Sequence, residues 1–67
     1  MRFKNYSRIR LLTDKYKSEG VGIGTIGCII EIWEKPNLAY EVEFSDDEGI
    51  TIALFAALPD EIELVED

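Results

Sequence analysis

Gly20-Val21-Gly22-Ile23-Gly24-Thr25-Ile26-Gly27 runs straight into Cys28-Ile29-Ile30-Glu31-Ile32-Trp33, a glycine-rich loop opening onto a β-branched strand. Glycine at 20, 22, 24 and 27 marks positive φ, bulges and close backbone approach rather than a helix. From Thr25 the chain turns β-branched, with Ile26, Ile29, Ile30 and Ile32 ahead of Trp33, the strongest strand signal in the sequence. A phosphate loop sets its glycines between a strand and a helix N-terminus. Here a strand follows the glycines and no Gly-Lys-Ser/Thr is present, so they read as shaping a loop and the approach to a strand.

Upstream, Tyr6 to Leu12 alternates, with Ile9 and Leu11 on one face and Arg8 and Arg10 on the other. Asp14 to Glu19 is polar and reads as a loop. Downstream, Lys35-Pro36-Asn37 is a turn. Ala39 to Ser45 alternates cleanly: Tyr40, Val42 and Phe44 face one way, Glu41 and Glu43 the other. Asp46-Asp47-Glu48-Gly49 is a hairpin turn with glycine placed to close it. Ile50 to Ala56 reads as the next strand, although Ala53-Leu54-Phe55-Ala56-Ala57 suits a helix by propensity alone. Leu58-Pro59-Asp60-Glu61-Ile62 fits a single helical turn with Pro59 first, and Glu63 to Val65 a last short strand. The expected fold is therefore all-β: a small five-stranded SH3-like barrel with one short helical turn before the last strand, one domain over residues 1–67. Closing the sheet hides edges that so small a domain could not otherwise protect.

The segment Gly24-Thr25-Ile26-Gly27-Cys28-Ile29 resembles the Gly-x-x-Gly-x-Val pattern of KOW-type SH3-like modules. From about Ile9 to Val65 the chain also resembles a family of small bacterial proteins known only as a domain of unknown function. The residues that carry the likeness are Ile9 to Asp14, Gly24 to Ile32, Ala39 to Phe44, Gly49 to Leu54, and Leu58-Pro59. Members usually carry Gly-Asp-Val-Gly-Thr-Val-Val-Glu-Val at the second block. Thr25 stands here where the Asp would be, and Cys28 where the Thr would be, so no role rests on a shared Asp. The resemblance implies the barrel fold and no established activity. Small acidic proteins of this kind look like immunity or antitoxin partners encoded beside bacterial toxins.

Composition narrows the chemistry. At 67 residues the chain is near the lower limit for folding without disulfides or metal. It has no histidine, so no side chain with an unperturbed pKa near neutrality, and a Ser–His or Cys–His pair is impossible within it. One cysteine and no histidine cannot supply the usual zinc ligands, and Asp46-Asp47-Glu48-Gly49 lacks the oxygen spacing of a calcium loop. No enzyme, cofactor or metal is expected. The lone Cys28 fits a small core residue in a reducing compartment. No apolar run is long enough to span a membrane, and Arg2 and Lys4 with no apolar core behind them do not make a secretory signal. The expectation is a cytoplasmic protein.

Charge carries the functional hint. Residues 1–17 hold six basic side chains against Asp14, a local balance of +5. From Glu41 to Asp67 there are ten acids and no Lys or Arg, and the whole chain is at −7 with a pI near 4.4. Such a field repels nucleic acid and anionic membranes and attracts cationic partners. In the expected fold the first strand lies beside the last, so Arg8 and Arg10 would face Glu61, Glu63 and Glu66 and partly cancel them. What stays unbalanced is the middle hairpin. Glu41, Glu43, Asp46, Asp47 and Glu48, with Trp33 as an apolar anchor and Tyr40 across from it, form the expected contact surface for a basic partner. In its sharpest form that partner is a toxin whose cationic cleft the acids cover. The alternatives are a KOW-like nucleic-acid-associated module using the basic N-terminal strand, or an accessory subunit of a larger complex.

Overall fold

The computed structural model describes residues 3–66; Arg2 and Asp67, counted in the charge split, lie outside the described residues. Five strands form: β1 (Arg8–Leu11), β2 (Ile26–Trp33), β3 (Ala39–Ser45), β4 (Thr51–Ala57) and β5 (Ile62–Glu66). Single 3₁₀ turns occupy Lys17–Glu19 and Pro59–Glu61. The strands make one antiparallel sheet in the order β4-β3-β2-β1-β5. The element order is the expected one: a long loop after the first strand, a three-strand meander, one helical turn, and a last strand returning beside the first. The expected closure is not made by strand pairing among the described residues, since β4 and β5 are the two edges of the sheet and do not pair.

The glycine-led stretch is the hub. β2 pairs with β1 through Ile26, Gly27 and Cys28, and with β3 from Cys28 to Trp33. Ile29 lies opposite Val42 and Glu31 opposite Glu41, so Ile30 is an extra residue in β2. A bulge of this kind bends its strand. It also resets the alternation. Without the extra residue Glu31 would point into the core and Ile32 out of it; with it, Ile29 and Ile32 face inward and Glu31 and Trp33 outward. The glycines serve two different needs. Gly20 and Gly24 adopt φ of +93°, in the left-handed region. Gly27 is extended but cramped: a Cβ there would stand 2.6 Å from the Phe44 ring and 2.9 Å from the Glu43 carbonyl oxygen.

The core lies on the concave face. Ile9 and Leu11 from β1, Ile29 from β2, Ala53 and Ala57 from β4 and Ile62 from β5 meet Tyr40, Val42 and Phe44 of β3, with Val21 folded over them from the long loop. The helix-prone composition of Ala53 to Ala57 is overridden because Ala53, Phe55 and Ala57 share one face at period two. Phe55 is held between Phe44, with ring centroids 5.5 Å apart, and Tyr16 of the long loop, stacked at 3.9 Å. β1 starts at Arg8 rather than Tyr6, because Tyr6 turns to φ +69°, which an extended strand does not allow.

Candidate functional site

The convex face of the meander assembles most of the acids expected to make contact. Glu41 and Glu43 point outward from β3 and are half-buried among their neighbours. Trp33 ends β2 on the same face, 48% exposed, and its Nε1–H donates to Glu41 Oε1 at 3.1 Å. Glu43 lies between Cys28 and Leu54 in the register, and its Oε2 accepts from the Thr51 hydroxyl at 2.6 Å. Asp47 and Glu48 are exposed at the tip of the β3–β4 hairpin.

Two members of the expected set take other positions. Tyr40 is fully buried, and β3 pairs it with Ile32, while Trp33 pairs with Ala39. Its ring meets Phe3 edge-on and its hydroxyl accepts from the Phe3 amide at 3.3 Å, so it has no surface to offer a partner. Neighbouring residues of a strand point to opposite faces, and Tyr40 is in phase with the core-facing Val42 and Phe44. Asp46 is exposed, but its Oδ1 accepts the amides of Glu48 and Ile50 at 2.9 and 3.0 Å, the bonds that hold the turn.

The fold adds residues that the sequence did not single out. Glu31 stands directly opposite Glu41 on the convex face. Two like charges across a strand pair are unfavourable, and no described Lys or Arg forms an ion pair with either. Leu54 and Ile52 of β4 lie beside the acids and are 49% and 45% exposed. The Ile29-Ile30 doublet before Glu31 was the available signal, since it breaks strict alternation and marks the bulge that turns Glu31 outward. A shallow open groove of ≈ 440 Å³, lined by Arg8, Ile26, Gly27, Cys28, Glu43 and Ser45, continues this face toward β1.

The basic N-terminal strand is engaged internally. Arg10 forms an ion pair with Glu63 across the β1–β5 ladder, and Arg8 is in register with Glu66. Glu61 departs from the expected set facing the arginines. It turns toward the long loop, where its carboxylate accepts from Lys15 Nζ at 2.7 Å, the Tyr16 hydroxyl at 2.6 Å and the Leu58 amide at 2.9 Å. Burial would raise the Glu61 carboxyl, but these donors outweigh it and hold its pKa below the ordinary carboxylate value. Burial and the Glu61 carboxylate both push the Tyr16 hydroxyl up, and the bond to Glu61 raises Lys15. The cluster is a clasp that fastens the long loop to the 3₁₀ turn before β5.

With this geometry in view, comparison with known families places the chain. A family model described as a domain of unknown function (DUF4926) matches residues 5–64. The chain belongs to the DUF4926 family. The matched span takes in the whole meander, the hairpin tip and the clasp, so the convex acidic face lies within the DUF4926 domain. No curated protein and no solved structure matches the chain. Among the described residues, no helix is long and apolar enough to cross a membrane.

Proposed function

We propose that this DUF4926 protein is an interaction module that binds a basic protein on the convex face of its meander. In its sharpest form it is an immunity or antitoxin protein that neutralises a toxin by covering a cationic cleft. The observation that carries the reading is the Glu31–Glu41 pair: like charges in direct cross-strand opposition, beside a half-exposed Trp33, with Leu54 exposed next to Glu43. Such a pair lowers stability in the isolated protein and becomes favourable when a cation is set against it. Trp33 supplies the aromatic surface typical of residues that dominate binding energy, and Glu43, Asp47 and Glu48 extend the negative field around it. The mechanism is steering followed by docking: the field accelerates encounter, and the apolar residues hold the partner once water is expelled.

The test begins with capture of basic proteins on the immobilised protein at low salt, and their identification by mass spectrometry. Association rates of the captured partner are then measured for the wild type and for a variant carrying Glu31→Gln, Glu41→Gln and Glu43→Gln. The reading expects slower association and a shallower salt dependence in the variant. Equal rates with equal salt dependence would show that the acidic face is only solvated surface.

A further inference from the structure

The two edges of the sheet are built differently. β5 is short and carries Glu63, a charged side chain of the kind that discourages strand-to-strand association. β4 has no such guard. Ile50 to Leu58 is nine consecutive residues without a charge, and Ile50, Ile52, Leu54 and Leu58 are each more than 40% exposed. One bulge, at Ile52, bends only the hairpin end of the strand, since Phe44 lies opposite Ala53 and Ser45 opposite Thr51.

Among the described residues, the backbone of this edge is open except at the Ala56 carbonyl. The Asp46 amide bonds the Ile50 carbonyl at 2.9 Å, which fixes the phase of the β3–β4 ladder. Counting up from there through the bulge, Leu54 and Ala56 fall at non-bonded pairs, so their N–H and C=O groups point away from β3. The Tyr16 hydroxyl, which reaches round to 3.4 Å from the Ala56 carbonyl, agrees with this phase.

Charge selects the occupant. The edge is bracketed by Asp46, Asp47 and Glu48 at one end and by Asp60 at the other, with Glu41 and Glu43 on the adjacent strand. A second copy at −7 would bring the same acids to the same place. A strand added to β4 would lie roughly 10 Å from β3, two strand spacings away, within reach of a lysine or arginine side chain aimed at Glu41 and Glu43. We propose that the open edge of β4 takes an extended, lysine- or arginine-bearing segment of the partner as a sixth strand. Its basic side chains lie over the convex acids and its apolar ones beside Phe55. This rests on the preceding reading that the partner is basic, and adds how it is held.

The test uses the full-length, ¹⁵N-labelled protein with a synthetic peptide of about twelve residues alternating lysine with valine, and the same peptide with glutamate for lysine. The expected result is binding of the lysine peptide only, with amide exchange at Leu54 and Ala56 slowed by at least about tenfold. Leu54→Pro, which removes an edge-facing N–H and no ladder bond, should weaken binding about tenfold. If that variant does not fold, exchange in the unsubstituted protein decides alone. Salt-dependent binding of the lysine peptide without protection at Leu54 and Ala56 overturns the edge proposal and leaves the acidic-face reading standing. Equal binding of both peptides with protection at the edge overturns the basic-partner reading, and the proposal with it. Failure of both peptides to bind, or a dimer in sedimentation with these two amides already protected, also overturns it.

Discussion

At the scale of single residues, Glu61 and Gly27 show how much depends on one side chain or its absence. Glu61 is held ionised by Lys15, Tyr16 and the Leu58 amide, so its folded pKa lies below its unfolded one. A depressed carboxylate stabilises above its unfolded pKa, about 4.3, and loses that contribution as pH falls through the folded value. Tyr16 and Lys15 are raised, so their share is present below about pH 10 and lost as pH rises above it. Thermal melts should therefore show Glu61→Gln less stable than wild type near neutrality, with the gap closing below about pH 4. A gap that does not change with pH would mean the clasp does not hold the loop through charge. At Gly27 even a methyl group meets the Phe44 ring and the Glu43 carbonyl. Gly27→Ala should cost about 1–3 kcal/mol in chemical denaturation, and wild-type stability in that variant would contradict the close approach.

At the scale of elements, alternation made most of the sheet legible. Tyr40, Val42 and Phe44 announce the core face of β3 in the sequence itself, and the Asp46–Gly49 turn announces its partner strand. Faces within one strand follow from period two. The phase between strands follows from register, which turns and bulges set and composition does not. Tyr40 is in phase with Val42 and Phe44 within its own strand, so the expectation that sets it beside Trp33 on the surface runs against the alternation. The direction of Glu31, by contrast, is set only by the Ile30 bulge. β4 is ambiguous for another reason: its alanines favour a helix locally, and the ladder to β3, the burial of Ala53 and Ala57 and the stack of Tyr16, Phe55 and Phe44 together outweigh that preference. The β2–β3 pair carries a prediction of its own. Glu31→Lys replaces repulsion across the ladder by attraction and should raise stability by about 0.2–1 kcal/mol, while weakening capture of a basic partner. Loss of stability in this variant would show that Glu31 and Glu41 do not strain the free protein.

At the scale of the whole molecule, the two charged ends fold together and the middle is left unbalanced. The Arg10–Glu63 pair, with Arg8 in register with Glu66, brings the basic strand against the acidic one. The remaining negative charge is spread over a small body, so self-repulsion opposes compaction. Raising salt from about 0.02 to 0.5 M should increase Tm by a few degrees in calorimetry, since screening relieves that repulsion more than it weakens exposed ion pairs. A fall in Tm would mean that the pairs dominate. The position of Trp33 has an optical consequence. It is the only tryptophan in the chain, and it sits half-exposed on the candidate surface rather than in the core. Indole emission therefore reports the polarity of that surface from a single place. A partner that covers the convex face should shift it to the blue, while a ligand bound elsewhere should leave it unmoved, so the protein carries its own label for the site.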